Sequence, residues 1–507
     1  MKRILFLLLA LCSYWSLASS TVRAELRLAT IFSDHMVIQR DQPIRIWGWS
    51  EKQQVVKVEF SGQVISTTAD DTGAWKITFK KGLAASSEPR KLSVRTDSAE
   101  RVIEDIVIGD VWHASGQSNM AMTVNSVARR LPAAAKHIAE AKTSGIRFRR
   151  IHAGPATQPQ LNVPNGSWQT CSPATVKSFS AAAYYFARSI HAELNIPIGI
   201  IDSSRGGTPI EPFIPREAFT SHPTLRAELE LGDKDDLAAI WRLAGGVRAR
   251  DANWLPGRLF QSQTAPITRL AVRGVIWYQG ESNCGVGEDP RDYEHKMRAL
   301  ISGWRKAIEN DALPFYFVQL PGSGAREGWP YLREQQRLAS NMPHSGMAVT
   351  IDLLDHDIHP LNKVDVGRRL AKLAIAGAYG KDIPFSGPSF SKAEINGDTV
   401  TAHFNHADNG LVLAVKKGIS EPVESSDIEL SHFELAEADG KWYPATAKIH
   451  GKTVVVKSKD VSAPKAVRYG YAIDPQHCHL YNRDGLPASP FCSSAKYLTF
   501  VPDIPQK

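Results

Sequence analysis

The sequence predicts an α/β fold: a parallel sheet with helices on both faces, flanked by N-terminal and C-terminal β-rich regions of sandwich or jelly-roll character. Three observations predict it. Between about 106 and 384, short apolar runs alternate with amphipathic helical periods, the pattern of a doubly covered parallel sheet. On either side, over 25–105 and 385–507, the period falls to two and turn residues separate the runs. The apolar runs of the middle region also end in Gly-rich polar segments, and the C-terminal edge of an open parallel sheet is where ligands bind.

Residues 1–24 read as a secretory signal peptide. Lys2-Arg3 supply the positive start, Ile4–Leu11 the apolar stretch, and Val22-Arg23-Ala24 a cleavage site. The stretch is too short to span a bilayer, no later run is a membrane helix, and the expected location is periplasmic or extracellular. In the region 25–105, Ile44 and Ile46, then Val56, Val58 and Phe60, then Trp75, Ile77 and Phe79 alternate with polar neighbours. Ser61-Gly62 and Asp70–Gly73 supply the turns. In the middle region the spacing predicts strands at 105–112, 196–201, 270–278, 314–320 and 346–352. Helical stripes run through Phe186, Ile190 and Leu194, through Tyr293, Met297, Leu300, Ile301 and Trp304, and through Val366, Leu370, Leu373 and Ala374. Pro384–Pro388 marks the next boundary. Beyond it Asn396-Gly397 predicts a hairpin, followed by strands at 454–456 and 467–471.

Composition narrows the function. Of the 507 residues, 43% are hydrophobic and 22% charged, an ordinary globular balance. The net charge of +8 is spread among 52 acidic residues with no basic stripe, which argues against nucleic acid as a partner. Cys171, Cys284, Cys478 and Cys492 remain after the leader. Their spacing matches no zinc pattern; Cys478 and Cys492 are near enough for a local bridge, or all are buried thiols.

The strand exits carry the chemistry. Gly116-Gln117-Ser118-Asn119-Met120 follows the first central strand, Arg205–Glu211 the second, Gln279–Asn283 the third, and Asp352–Pro360 the last. Each alone reads as a turn, a cap or a strand end. Together they bring a hydroxyl, an imidazole and several N–H donors to one edge of the sheet. Ser118 is the candidate nucleophile and needs a base, for which His359 is suited because imidazole titrates near neutrality. Asp357 or Asp355 would orient the ring, with Asp357 favoured. The Ser118 N–H, Gly206 or Gly207, and the Gln279 amide are the candidate oxyanion donors. Arg205, Asn119 and Glu281 border these segments and are the substrate-binding candidates. His113 is expected to be structural. Asp355-His356-Asp357-Ile358-His359 also permits a metal reading, but its spacing is no known zinc motif, and neither metal nor cofactor is expected.

These segments resemble the sialate O-acetylesterase-like branch of the SGNH hydrolases. The resemblance runs through most of 25–500. It is carried by Ile31–Arg40, Ser115–Met120, Gly206–Glu211, Arg273–Asn283, Asp357–Pro360, Leu480–Asn482 and Gly485–Phe491. It implies an SGNH-type sheet and an esterase that removes acetyl groups from the hydroxyls of a glycan. Sialic acid, or a plant polysaccharide such as xyloglucan or xylan, would be the substrate. Arg205 stands where relatives commonly carry Trp, and His356 stands three residues before His359, where such enzymes often carry the orienting acid. The alternatives are a related hydrolase of longer acyl esters and a non-catalytic glycan-binding protein.

Overall fold

The computed structural model describes residues 25–234, 254–284, 289–324, 326–353 and 357–500. The expected leader, and Asp355 and His356 of the base segment, lie outside the described residues. Six parallel strands form the central sheet: β1 (Glu100–Gly116), β2 (Ile146–Arg150), β3 (Ile198–Asp202), β4 (Gly274–Tyr278), β5 (Phe315–Val318) and β6 (Ser345–Ala348). Their order is β2-β3-β1-β4-β5-β6, with Gln169–Thr170 antiparallel on the β2 edge. The chain leaves β1 for one side of the sheet and later returns to the other. The end of β1, between β3 and β4, is therefore the switch point where a crevice opens.

β1 explains how the flanking β region is joined. Its first half is the edge of the N-terminal unit, pairing antiparallel with Ser86–Arg95 and parallel with Val37–Gln39. Its second half, buried without interruption from Ile106 to Gly116, is the central strand of the catalytic sheet. The expected boundary at 105/106 thus falls inside one continuous strand. Asp105 sits there at φ +52°, held by Arg147 (Nη2 to Oδ1, 2.9 Å) and by His35 (2.6 Å). Ile46, Trp47, Val58 and Phe60 share their core with Val107, Val111 and Ile201 of the central sheet.

The stripes become α1 (Ala181–Leu194), α2 (Tyr293–Ile308) and α4 (Lys363–Gly377), and a further helix, α3 (Trp329–Ala339), lies between the last two. α1 and α4 approach so closely that a Cβ at Gly367 would lie 2.5 Å from Tyr185 Cβ. The C-terminal unit is a seven-stranded sheet beside a three-stranded one. Its first hairpin turns on Gly397 and Asp398, with Asn396 pairing Thr399. This unit braces the start of α4: Lys416 pairs with Asp365 at 2.6 Å, and Asn362 Nδ2 donates to Gly418 O at 2.9 Å.

Of the two readings open for the cysteines, free buried thiols hold. Cys171, Cys284, Cys478 and Cys492 are all free and buried. The thiols of Cys478 and Cys492 donate instead to the carbonyls of Pro475 and Ser494, and burial pushes both up to about 12. β2 and α3 escaped the sequence reading. β2 places Arg147 and Arg149 in buried positions, where they donate to backbone carbonyls and Asp105, while Arg149 Nε meets no acceptor among the described residues. Among the described residues, no helix is long and apolar enough to cross a membrane.

Candidate active site

The nucleophile segment is shaped by one glycine. Gly116 ends β1 at φ +132°, and a Cβ there would lie 2.1 Å from Tyr278 O of β4. Only glycine allows this approach, and it lets Gln117 N–H donate to the same carbonyl at 2.9 Å. The chain then turns off the sheet into the short helix Ser118–Ala121. Ser118 Oγ meets His359 Nε2 at 2.8 Å, across 241 residues of sequence.

His359 follows β6 on the segment that leads into α4. Burial lowers its pKa below the ordinary 6.5, the positive charge of Lys363 lowers it further, and Asp357 opposes both. The shift favours the neutral ring, the form a base needs. Asp357 is not bonded to it: Oδ1 lies 3.7 Å from Nδ1, beyond hydrogen-bond range. That oxygen accepts the His359 backbone N–H at 3.1 Å, and the side chain is 41% exposed and 4.0 Å from Arg130.

On the other side of Ser118, the segment after β3 brings a backbone against the nucleophile. A Cβ on Gly206 would sit 3.7 Å from Ser118 Cβ, and Arg205 N–H holds the turn to Gly116 O at 2.8 Å. The N–H groups of Ser118 and Gly206 meet no backbone acceptor among the described residues. Gly207 follows at φ +70°. The Arg205 guanidinium points to His152 Nε2 and Ala153 O, both at 3.2 Å, and pairs with no carboxylate among the described residues.

Three expected roles are corrected by the hydrogen bonds. Gln279 is fully buried, and its amide hydrogens are spent on Asn283 Oδ1 (2.7 Å) and Gln117 Oε1 (3.0 Å), so it has none to offer an oxyanion. Asn119 and Glu281 do not face a substrate. Asn119 is fully buried; its Nδ2 donates to Glu281 and to Ile358 O (2.7 Å), and its Oδ1 accepts from Lys363 Nζ (2.6 Å). Burial pushes Glu281 up to about 7. These residues tie the base segment to the nucleophile segment from behind. Lys363, which also donates to Pro360 O, was missed; its place four residues after His359 at a helix start was the available signal.

His113 forms a second hydroxyl–imidazole pair, with Ser203 at 2.7 Å. It is sealed in the core, stacked on Trp304, and burial drives its pKa to about 3, so it cannot serve as an accessible base. Among the described residues no cluster of His, Cys, Asp or Glu could hold a metal, while Asp355 and His356 fall outside them. Trp47 is buried. Trp49 and Trp442 each have one face covered by a guanidinium group, of Arg27 and of Arg468.

Comparison with known proteins agrees with this geometry. Residues 108–376 match the family described as carbohydrate esterase, sialic acid-specific acetylesterase. The sialate O-acetylesterase of Rattus norvegicus is 27% identical, with 92% of this chain and 94% of the relative covered. That of Homo sapiens is 28% identical, with 92% of each covered. The crystal structure of a carbohydrate acetylesterase from Xanthomonas citri is 33% identical. It superposes with a TM-score of 0.80 over 93% of this chain and all of its own. The family match spans the central sheet from β1 to α4 and includes the Ser118–His359 contact, and the likeness to the solved esterase runs through both flanking β regions: the chain belongs to the carbohydrate esterase family of sialic acid-specific acetylesterases.

Proposed function

We propose that the protein is an exported serine esterase that removes O-acetyl groups from sugar hydroxyls through an acetyl-serine intermediate. The observation that carries this reading is the 2.8 Å contact between Ser118 Oγ and His359 Nε2. Ser118 Oγ attacks the acetyl carbonyl carbon as its proton passes to His359 Nε2. The carbonyl oxygen becomes an oxyanion and accepts hydrogen bonds from the N–H groups of Ser118 and Gly206, with Gly207 beside them. As the tetrahedral intermediate collapses, the C–O bond to the sugar breaks and the imidazolium returns its proton to the leaving oxygen. Water, deprotonated by the same imidazole, then attacks the acetyl-serine and releases acetate. Asp357 stabilises the imidazolium through space, a modest effect for a half-exposed carboxylate.

Arg205 favours an acidic sugar. Its backbone holds the turn beside the nucleophile, its guanidinium pairs with no carboxylate among the described residues, and the sialic acid carboxylate would supply one. Neutral xyloglucan or xylan would leave it unpaired. The leader-like start at Lys2-Arg3 supports export to the compartment where such glycans are met. The test is acetate release from O-acetylated sialic acid, acetylated xyloglucan oligosaccharides and a butyryl ester, by the wild type and by Ser118→Ala. The reading expects the sialic acid substrate to be preferred and the Ser118→Ala variant to be inactive. Preference for the butyryl ester would make it a longer-chain esterase. No release from any substrate would leave a glycan-binding protein.

A further inference from the structure

With Gln279 withdrawn, the oxyanion site lacks a side-chain donor, and one polar group beside Ser118 has no role in the scheme above. We propose that Gln117, through its Nε2 hydrogens, donates directly to the oxyanion. The inference rests on the esterase reading and adds a catalytic residue to it.

The direction of the Gln117 amide follows from a chain of bonds that can be oriented in only one way. The chain starts at Glu211, which is paired with the buried Lys296. Asn283 gives its Nδ2 to Glu211 Oε1 and Oε2, at 3.0 and 3.2 Å. Its Oδ1 faces the backbone N–H of Ile210 (3.0 Å), which can only donate. Asn283 is thereby fixed, and its Oδ1 also requires a donor from Gln279, at 2.7 Å. Gln279 must then turn its nitrogen this way, leaving its Oε1 to accept the Tyr293 hydroxyl at 2.6 Å. The second hydrogen of Gln279 Nε2 reaches Gln117 Oε1 at 3.0 Å, and the Ser282 N–H reaches the same oxygen at 3.1 Å. With both partners on its oxygen, Gln117 turns its nitrogen the other way. That nitrogen meets no acceptor among the described residues, and it is not one of the buried unpaired atoms.

Position agrees with orientation. Gln117 directly precedes the nucleophile, and its amide is gripped from the end of β4. Gln279 Nε2 lies 3.4 Å from Thr208 O, on the segment that carries Gly206. The relay thus joins the residue before Ser118 to the segment that carries Gly206. An amide held at its oxygen by two donors is pre-organised, so its hydrogens need no reorientation as charge develops on the substrate oxygen.

The test uses Gln117→Glu, which keeps the shape and the accepting oxygen, and Gln117→Met, which keeps only the length. Each is assayed for acetate release, for inhibition by methylboronic acid and for thermal unfolding, beside the wild type and Ser118→Ala. The expected result is a fall in kcat of about 10²–10³, the usual cost of one oxyanion donor. KM should stay near the wild-type value, and the boronate, which builds the tetrahedral adduct on Ser118, should bind more weakly by a similar factor. Near-wild-type kcat in either folded variant would overturn the proposal. If neither variant folds, the wild type decides: its Gln117 side-chain amide resonances, selectively labelled with nitrogen-15, should shift when the boronate adduct forms. Unmoved resonances would overturn it. An inactive Ser118→Ala beside active Gln117 variants would defeat this inference alone. An inactive wild type, or an active Ser118→Ala, would defeat the esterase reading and this inference with it.

Discussion

Ser118 stands at the end of a buried strand, whereas His359 stands on a segment between β6 and α4. The difference shows in what holds each. Around the nucleophile, Gly116, Gln117 and Arg205 are bonded to neighbouring strand ends, and an amide relay runs back to a buried ion pair. The base segment is held from behind by a few polar side chains: Asn119 on Ile358 O, Lys363 on Pro360 O and Asn119, and Glu281 beneath them. In the proposed mechanism, the half that stabilises developing charge is anchored in the sheet, where reorganisation would cost rate. The half that moves a proton depends on a buried cation, and its described carboxylate neighbour is out of bonding range.

The comparison can be broken in order of expected effect. Replacing either reacting group should be most severe: Ser118→Ala or His359→Ala should each lower kcat by about 10⁴ or more with the fold intact, because such groups act as a unit. Steady-state acetate release and circular dichroism check this, and a mild effect for His359→Ala would mean another base. Lys363→Met comes next. It removes two ties on the base segment, and a displacement of that kind costs about 10- to 100-fold in kcat. It also removes a positive charge that keeps the His359 pKa down. The base works in its neutral form, above that pKa, so the acid limb of the kcat/KM profile should move to higher pH. An unmoved limb would show that the lysine only fills space.

Glu281→Gln should act on stability more than on rate. In the folded protein burial holds this carboxyl near 7, above its ordinary 4.5. The fold therefore favours the protonated form, and wild-type stability should fall as pH rises from 4.5 through 7. The shift corresponds to at most about 3 kcal/mol. Gln keeps an oxygen for Asn119 and carries no charge, so denaturant midpoints of the variant should lose that pH dependence. A parallel loss in both proteins would contradict the buried charge. The smallest effect is expected for Asp357→Asn. Removing the orienting acid of a tightly bonded triad costs about 10⁴, but at 3.7 Å and half exposed Asp357 should cost less than about tenfold. The acid limb should move to lower pH, because Asp357 raises the His359 pKa. A loss near 10⁴ would mean that the ring closes onto Asp357 during turnover, and the contrast between the two halves would fail.

Much of this arrangement is legible in the residues because periodicity reports burial. The runs at 106–112 and 274–278 are apolar on both faces, so they read as central strands, and the polar segments after them read as one edge. With the run at 346–352, they bring Ser118 and His359 to that edge as candidates. β2 did not, because its alternate arginines are buried through long-range bonds to Asp105 and to carbonyls that no local pattern announces. The polar residues beside the reacting pair were misplaced for a related reason. Gln279, Asn119 and Glu281 have the chemistry of ligand contacts, and only distant segments show that they are buried, with the amides of Gln279 and Asn119 and one oxygen of Glu281 bonded inside the protein. A strand pattern tells which residues reach the edge of a sheet. It does not tell which of them turn their polar atoms outward.

The central claim is that the acetyl group passes through Ser118. The most direct measurement mixes the enzyme with an acetylated sugar, stops the reaction with acid within the first turnovers, and reads the peptides by mass spectrometry. The account predicts an added acetyl group on the peptide containing Ser118, absent in Ser118→Ala, which should also release no acetate. Acetate release at the wild-type rate by Ser118→Ala, with no acetylated peptide in the wild type, would contradict it.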